Sequence, residues 1–177
     1  MVRSTESGRA KGTAPKLLPR SDPQVGPGRK HITLQRGPGI AKWPVDPRRI
    51  RRWIRAALEV ELSLVLRFVD EPEARTLNRQ WRSRDAACNI LTFAYGPLGS
   101  QDETKLATAD IVVCLPIVGR ESRERNIPYA SHLAHLVIHG MLHAQGYTHD
   151  EEDAALRMEA REIAILKRFG VPDPYGS

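Results

Sequence analysis

Asp110-Ile111-Val112-Val113-Cys114-Leu115-Pro116 is the stretch on which the fold turns. One acid is followed by a short unbroken apolar run, which suits a strand buried on both faces, and the proline ends it. Upstream, residues 31–35 read as a first short strand. Asp46-Pro47 opens a helix, with Asp46 as cap and Pro47 in the first turn. In that helix Ile50, Trp53, Ile54, Ala57 and Leu58 follow the i, i+3, i+4 rule and leave Arg48, Arg49, Arg51, Arg52 and Arg55 largely outside. Such an arginine face either holds RNA backbone or is simply the solvated side of a helix. Residues 61–69 alternate Leu62, Leu64, Leu66 and Phe68 with a mixed face, a second strand. Asp70 caps a helix reaching Trp81, residues 89–95 form another strand, and 96–108 read as a polar loop.

Downstream of Pro116 the chain reads as helices only, over about 117–125, 129–145 and 151–169, the last ending at Gly170 before Pro172. Strands in the first half with helices gathered after them make the fold class α+β. The expected architecture is a single domain with a small mixed β-sheet packed with helices.

The chain has 177 residues and a net charge of +6. Residues 1–39 hold Arg3, Arg9, Lys11, Lys16, Arg20, Arg29, Lys30 and Arg36 against Glu6 and Asp22, so the whole excess lies there. They read as a basic, Pro/Gly-rich disordered tail, ahead of a domain over 40–177 with equal numbers of each sign. The tail either adds sequence-independent attraction to nucleic acid or is a solvated extension. No membrane span is visible, and Cys88 and Cys114 belong to no paired motif, so a reducing cytoplasmic setting is expected.

The chemistry sits in the C-terminal half. His139 and His143 project from one helix face about 6 Å apart along the axis. Gly146 can take positive φ, end the helix and let the chain bring His149 to the same point. Three such ligands leave a fourth tetrahedral position open, the layout of catalytic zinc, although imidazoles also suit nickel, copper or iron. The spacing is that of the long zinc-protease signature, but Gly140 stands where that signature carries its glutamate base. His132 and His135 fall with the two ligands inside an arc of about 80°. Each is either a metal-site partner or proton carrier, or a half-buried polar residue with a backbone partner.

The run His139-Gly140-Met141-Leu142-His143-Ala144-Gln145-Gly146-Tyr147-Thr148-His149 closely resembles the signature H-G-x-L-H-L-x-G-Y-D-H of the YbeY family, metal-dependent endoribonucleases of bacterial ribosomal RNA maturation. Trp81-Arg82-Ser83-Arg84-Asp85 is similar to that family's Y-R-G-K-D, and Asn89-Ile90-Leu91-Thr92-Phe93 to its [TDN]-V-L-[ST]-F. Residues 109–114 and Pro172-Asp173-Pro174-Tyr175 match in the same order. Ser83 replaces a family glycine, and Thr148 the aspartate before the last histidine.

The resemblance implies one Zn2+ on His139, His143 and His149, Arg82 as a catalytic, phosphate-binding arginine, and Asp85 and Asn89 beside it at the substrate. With position 140 a glycine, His135 is a candidate proton acceptor. The implied substrate is single-stranded RNA and the implied partners are ribosomal RNA and the ribosome. The implied role is late ribosome maturation and quality control, including the 3' end of 16S rRNA. Two other classes fit the metal spacing: a ribosome-associated RNA-binding factor with structural zinc, and a zinc peptidase-like hydrolase.

Overall fold

The computed structural model describes residues 31–95 and 107–176. Nine elements follow in order: β1 (Ile32–Arg36), α1 (Pro47–Ala57), β2 (Leu62–Val69), α2 (Glu71–Arg82), β3 (Ile90–Tyr95), β4 (Ala107–Cys114), α3 (Leu115–Glu124), α4 (Tyr129–Ala144) and α5 (Glu152–Lys167). The sheet order is β1-β2-β4-β3, with β1, β2 and β4 parallel and β3 antiparallel along the far edge. The expected α+β domain with a mixed sheet is what forms, and the apolar run after Asp110 lies inside that sheet.

Parallel strands buried on both faces need helices on both sides. Leu62, Leu64, Leu66 and Phe68 of β2 join Ala107, Ala109, Ile111 and Val113 of β4 in a core shared with α1, α4 and α5. Val65, Val69, Val112 and Cys114 face the other way, with Leu91 and Phe93 of β3, onto Ala74 of α2. The second face of β2 is mixed as its alternation suggests, with Val65 and Val69 buried and Ser63 and Arg67 half-buried.

The helix starts follow their caps. Asp46 accepts from Arg48 N at 2.8 Å and Asp70 from Glu73 N at 3.0 Å, each just before a proline in the first turn. Arg51 ties α1 to the sheet edge by donating to the Ile32 carbonyl at 2.7 Å.

Three boundaries differ from the sequence reading. Strand β1 precedes residue 40, so the sheet takes in part of the basic segment, while the rest of the expected tail, residues 1–30, lies outside the described residues. Strand β4 begins at Ala107 because Ala107 and Thr108 pair with Leu62 and Ser63; the remainder of the expected loop, 96–106, lies outside the described residues. Pro116 does more than stop a strand, since it sits in the first turn of α3.

Ser83 ends α2 in a left-handed conformation, φ 55° and ψ 28°, with its N–H on the Arg79 carbonyl at 3.1 Å. The left-handed region costs a residue with a Cβ about 1–2 kcal/mol, whereas glycine loses roughly 0.5–1 kcal/mol more chain entropy on folding. Ser83→Gly is therefore expected to raise stability by roughly 0.5 kcal/mol. The check is a higher urea midpoint at unchanged slope.

Candidate metal centre

Helix α4 is buried from His132 to Ala144, so its imidazoles are held away from water. It ends as glycine permits: Gly146 takes φ 94°, and Tyr147 N reaches back to the Leu142 carbonyl at 3.2 Å. The reversal brings His149 over the helix. Its ring lies nearly parallel to that of His139, 5.2 Å between centroids, and 4.9 Å from that of His143. Ligand atoms of His139, His143 and His149 all lie within 4.8 Å of one another.

The tautomers are set from behind. His143 Nδ1 is 2.9 Å from the Tyr147 carbonyl, which can only accept, so Nδ1 carries the proton. His139 Nδ1 faces Glu162 Oε2 at a longer 3.5 Å. Both Nε2 atoms then turn toward each other, 3.0 Å apart. Two nitrogens on one tetrahedral zinc stand roughly 3.3 Å apart, so the imidazoles need little movement to share an ion. The residues fit a divalent metal.

Glu162 is fully buried, yet it is the hub of the site. Besides His139 it faces His135 Nε2 at 3.2 Å and accepts from the Tyr175 hydroxyl at 2.5 Å. Burial alone would push its carboxyl up, but His135 and His139 outweigh that and hold it below the usual carboxylate range. Burial and the neighbouring His139 and His149 push His143 down to about 3, so its imidazole stays neutral and able to bind metal at ordinary pH. His149 is lowered too, first by burial and then by His139.

The family model for the endoribonuclease YbeY matches residues 41–170. The chain belongs to this family. The Endoribonuclease YbeY of Cupriavidus necator is 44% identical over 91% of this chain and 80% of its own length. Those of Paraburkholderia phymatum and Thiobacillus denitrificans are each 48% identical, over 71% and 72% of this chain and 80% and 84% of their own lengths. In this YbeY chain the metal-site histidines and the glycine between them all fall inside the matched span.

The other candidate residues are distributed unevenly. His135 adjoins the cage, its ring 6.0 Å from His139 and 5.8 Å from Tyr175. Arg82 closes α2 at the β3 edge, its guanidinium 5.7 Å from the Phe93 ring centroid and Nη2 3.5 Å from the Thr92 carbonyl. The Thr92 hydroxyl in turn faces Gly140, beside the first ligand. Asp85 and Asn89, expected at the substrate, each have a side-chain partner within the chain. Asp85 takes both arms of Arg75, at 2.8 and 2.7 Å, on the exposed side of α2. Asn89 donates to Glu121 at 3.2 Å and accepts from Ile90 N, because the start of an edge strand needs its amides tied. Glu121 also takes His132 Nε2 at 2.7 Å, which gives His132 a side-chain partner rather than a backbone one.

Gly140 has a steric reason in this YbeY fold. A Cβ there would stand 2.7 Å from Ile90 Cδ1, 3.2 Å from Thr92 Oγ1 and 3.3 Å from Ile111 Cγ2. A side chain at this position would have to displace the Ile90 tip and press on Thr92 and Ile111.

Sequence reading missed Glu162, Tyr175 and Glu121 as parts of the site. A signal existed for the first: Met158, Glu162, Ile165 and Leu166 share one face of α5, so a carboxylate interrupts an apolar stripe.

Two outcomes follow. Glu162→Gln, which keeps the shape and removes the charge, is expected to weaken zinc binding about 10- to 100-fold, measured by competition with a chromogenic chelator. For the metal-free protein, His143 binds a proton near 6.5 when unfolded and only near 3 when folded. The unfolded state is thus the more protonated between these values, so stability is complete above about 6.5 and falls as pH drops toward 3. Urea midpoints across that window, with chelator present, are expected to decline steadily.

Proposed function

We propose that this YbeY-family chain is a zinc-dependent endoribonuclease specific for single-stranded RNA. Its proposed place is late ribosome maturation and quality control in the cytoplasm, including formation of the 3' end of 16S rRNA. The observation that carries the reading is the convergence of three imidazoles, two of them, His139 and His143, tied at Nδ1 from behind with their Nε2 atoms facing each other, in a chain of this family. No helix among the described residues is long and apolar enough to cross a membrane.

Zinc, when bound, supplies a Lewis acid for phosphodiester hydrolysis. The protein's own residues are proposed to act as follows. Glu162 and the Tyr147 carbonyl hold two ligands in the tautomer that binds metal. Arg82, at the β3 edge, offers a forked donor to the scissile phosphate. His135, on the carboxylate that also serves His139, is assigned the proton released when the nucleophile forms. The peptidase reading is disfavoured by Gly140, which carries no carboxylate where that chemistry needs one, and whose surroundings crowd a side chain.

His143→Ala is expected to abolish cleavage of single-stranded RNA and to lose zinc while remaining folded. Full-rate cleavage by the zinc-free variant would show that the metal is not catalytic and overturn this mechanism. Arg82→Ala should lose RNA binding and cleavage at unchanged zinc content. Mapping 16S rRNA 3' ends in a strain depleted of the protein tests the cellular role: unprocessed ends are expected.

A further inference from the structure

Exposed arginines are spread over the domain, Arg79, Arg123, Arg125 and Arg157 among them, and differ in whether an acid answers them. Arg75, Arg120 and Arg161 are each paired, with Asp85, Glu71 and Glu59. Arg48, Arg49, Arg52 and Arg55 of α1, and Lys167 and Arg168 at the end of α5, have no ion pair among the described residues and stand exposed. Like charges one turn apart destabilise a helix, and α1 carries no acid among its 11 residues to relieve them.

Their arrangement is ordered. Arg48, Arg52 and Arg55, at i, i+4 and i+7, share one face along roughly 10 Å. Arg52, Arg55 and Ala56 line a single groove with Arg168 and Phe169. The Arg52 guanidinium lies 5.9 Å from the Phe169 ring centroid, which holds the fork in place without neutralising it. The groove is coupled to the metal turn. Gln145, two residues beyond His143, donates to the Ala57 carbonyl at 2.8 Å and accepts from Glu59 N at 2.6 Å.

We infer that α1 and the end of α5 form a phosphate track for the backbone of single-stranded RNA whose chain continues toward the metal site. This rests on the endoribonuclease reading above. A cationic groove with one partly exposed ring suits a single strand, to which phosphates supply affinity and a ring gives a sequence-tolerant contact. An anionic lipid surface fits less well, because Ile50, Trp53 and Ile54 are all buried and α1 shows no large apolar side chain to a bilayer.

The test uses the zinc-loaded full chain with the triple variant Arg52→Gln, Arg55→Gln and Arg168→Gln. Binding to a labelled single-stranded RNA is measured against salt. Each lost phosphate contact lowers the log–log salt slope by about 0.7, so the triple variant should lose about 2 from the slope. Its cleavage of an RNA of a few nucleotides should match wild type, as should its zinc content. Arg55→Gln alone should lose about 0.7 of slope, which keeps the test open if the triple variant folds poorly. An unchanged slope and affinity overturn the track while leaving the nuclease intact. Loss of binding only to vesicles of anionic phospholipid overturns it equally. A wild-type protein that neither binds nor cleaves RNA overturns the endoribonuclease reading itself and the track with it.

Discussion

Burying α4 on all sides is the constraint from which the rest follows. A helix wrapped by sheet and helices can carry only polar groups that find partners inside, and this one carries four imidazoles. Each partner comes from a different element. Glu121 of α3 serves His132, Glu162 of α5 serves His135 and His139, and the Tyr147 carbonyl in the turn serves His143. Tyr175, near the chain's end, adds its hydroxyl to Glu162. The helices after the sheet are thereby positioned by polar contacts as well as apolar ones. The metal site is the point where those contacts leave nitrogens facing inward.

Close packing of α4 on the sheet has a chemical result. Gly140 lets the helix approach Ile90, Thr92 and Ile111 so closely that a Cβ there would have to displace the Ile90 side chain. A zinc protease needs a carboxylate at that position, so the contact that tightens the core also removes that chemistry. What stands near the cage is a buried carboxylate, Glu162, which faces His135 and His139.

Much of this was legible in the sequence for physical reasons. Caps at Asp46 and Asp70, the glycine at 146 and the apolar run after Asp110 are local signals, and local structure follows them. The histidine spacing is local as well, and the three ligands converge as their spacing requires. Glu162 and Tyr175 were not legible because their role depends on the packing of α5 and the chain's end against α4, more than ten residues away. Asn89 and Asp85 were read from their place in motifs, which says nothing of whether a nearer partner, Glu121 or Arg75, already holds the side chain. Ser83 illustrates the reverse: a serine where relatives of its motif have glycine still adopts the left-handed turn, since the turn is fixed by the helix it closes.

Charge shows most clearly what a count conceals. Residues 40–177 contain as many acids as bases, which argues against a charged domain surface. Neutrality of the total does not make the surface uniform. Glu73, Asp85, Glu71 and Glu59 are consumed by Arg67, Arg75, Arg120 and Arg161. Glu121 and Glu162 are turned to the histidines of α4. Another group of acids gathers at the start of α5, where Glu152 and Asp153 complement the helix dipole. Acids so committed cannot neutralise α1, whose arginines alternate with residues that the core requires. Burial fixes where the apolar half of that helix points, and the positive half is exposed as a consequence, on a helix whose end is bonded to Gln145 in the turn after His143.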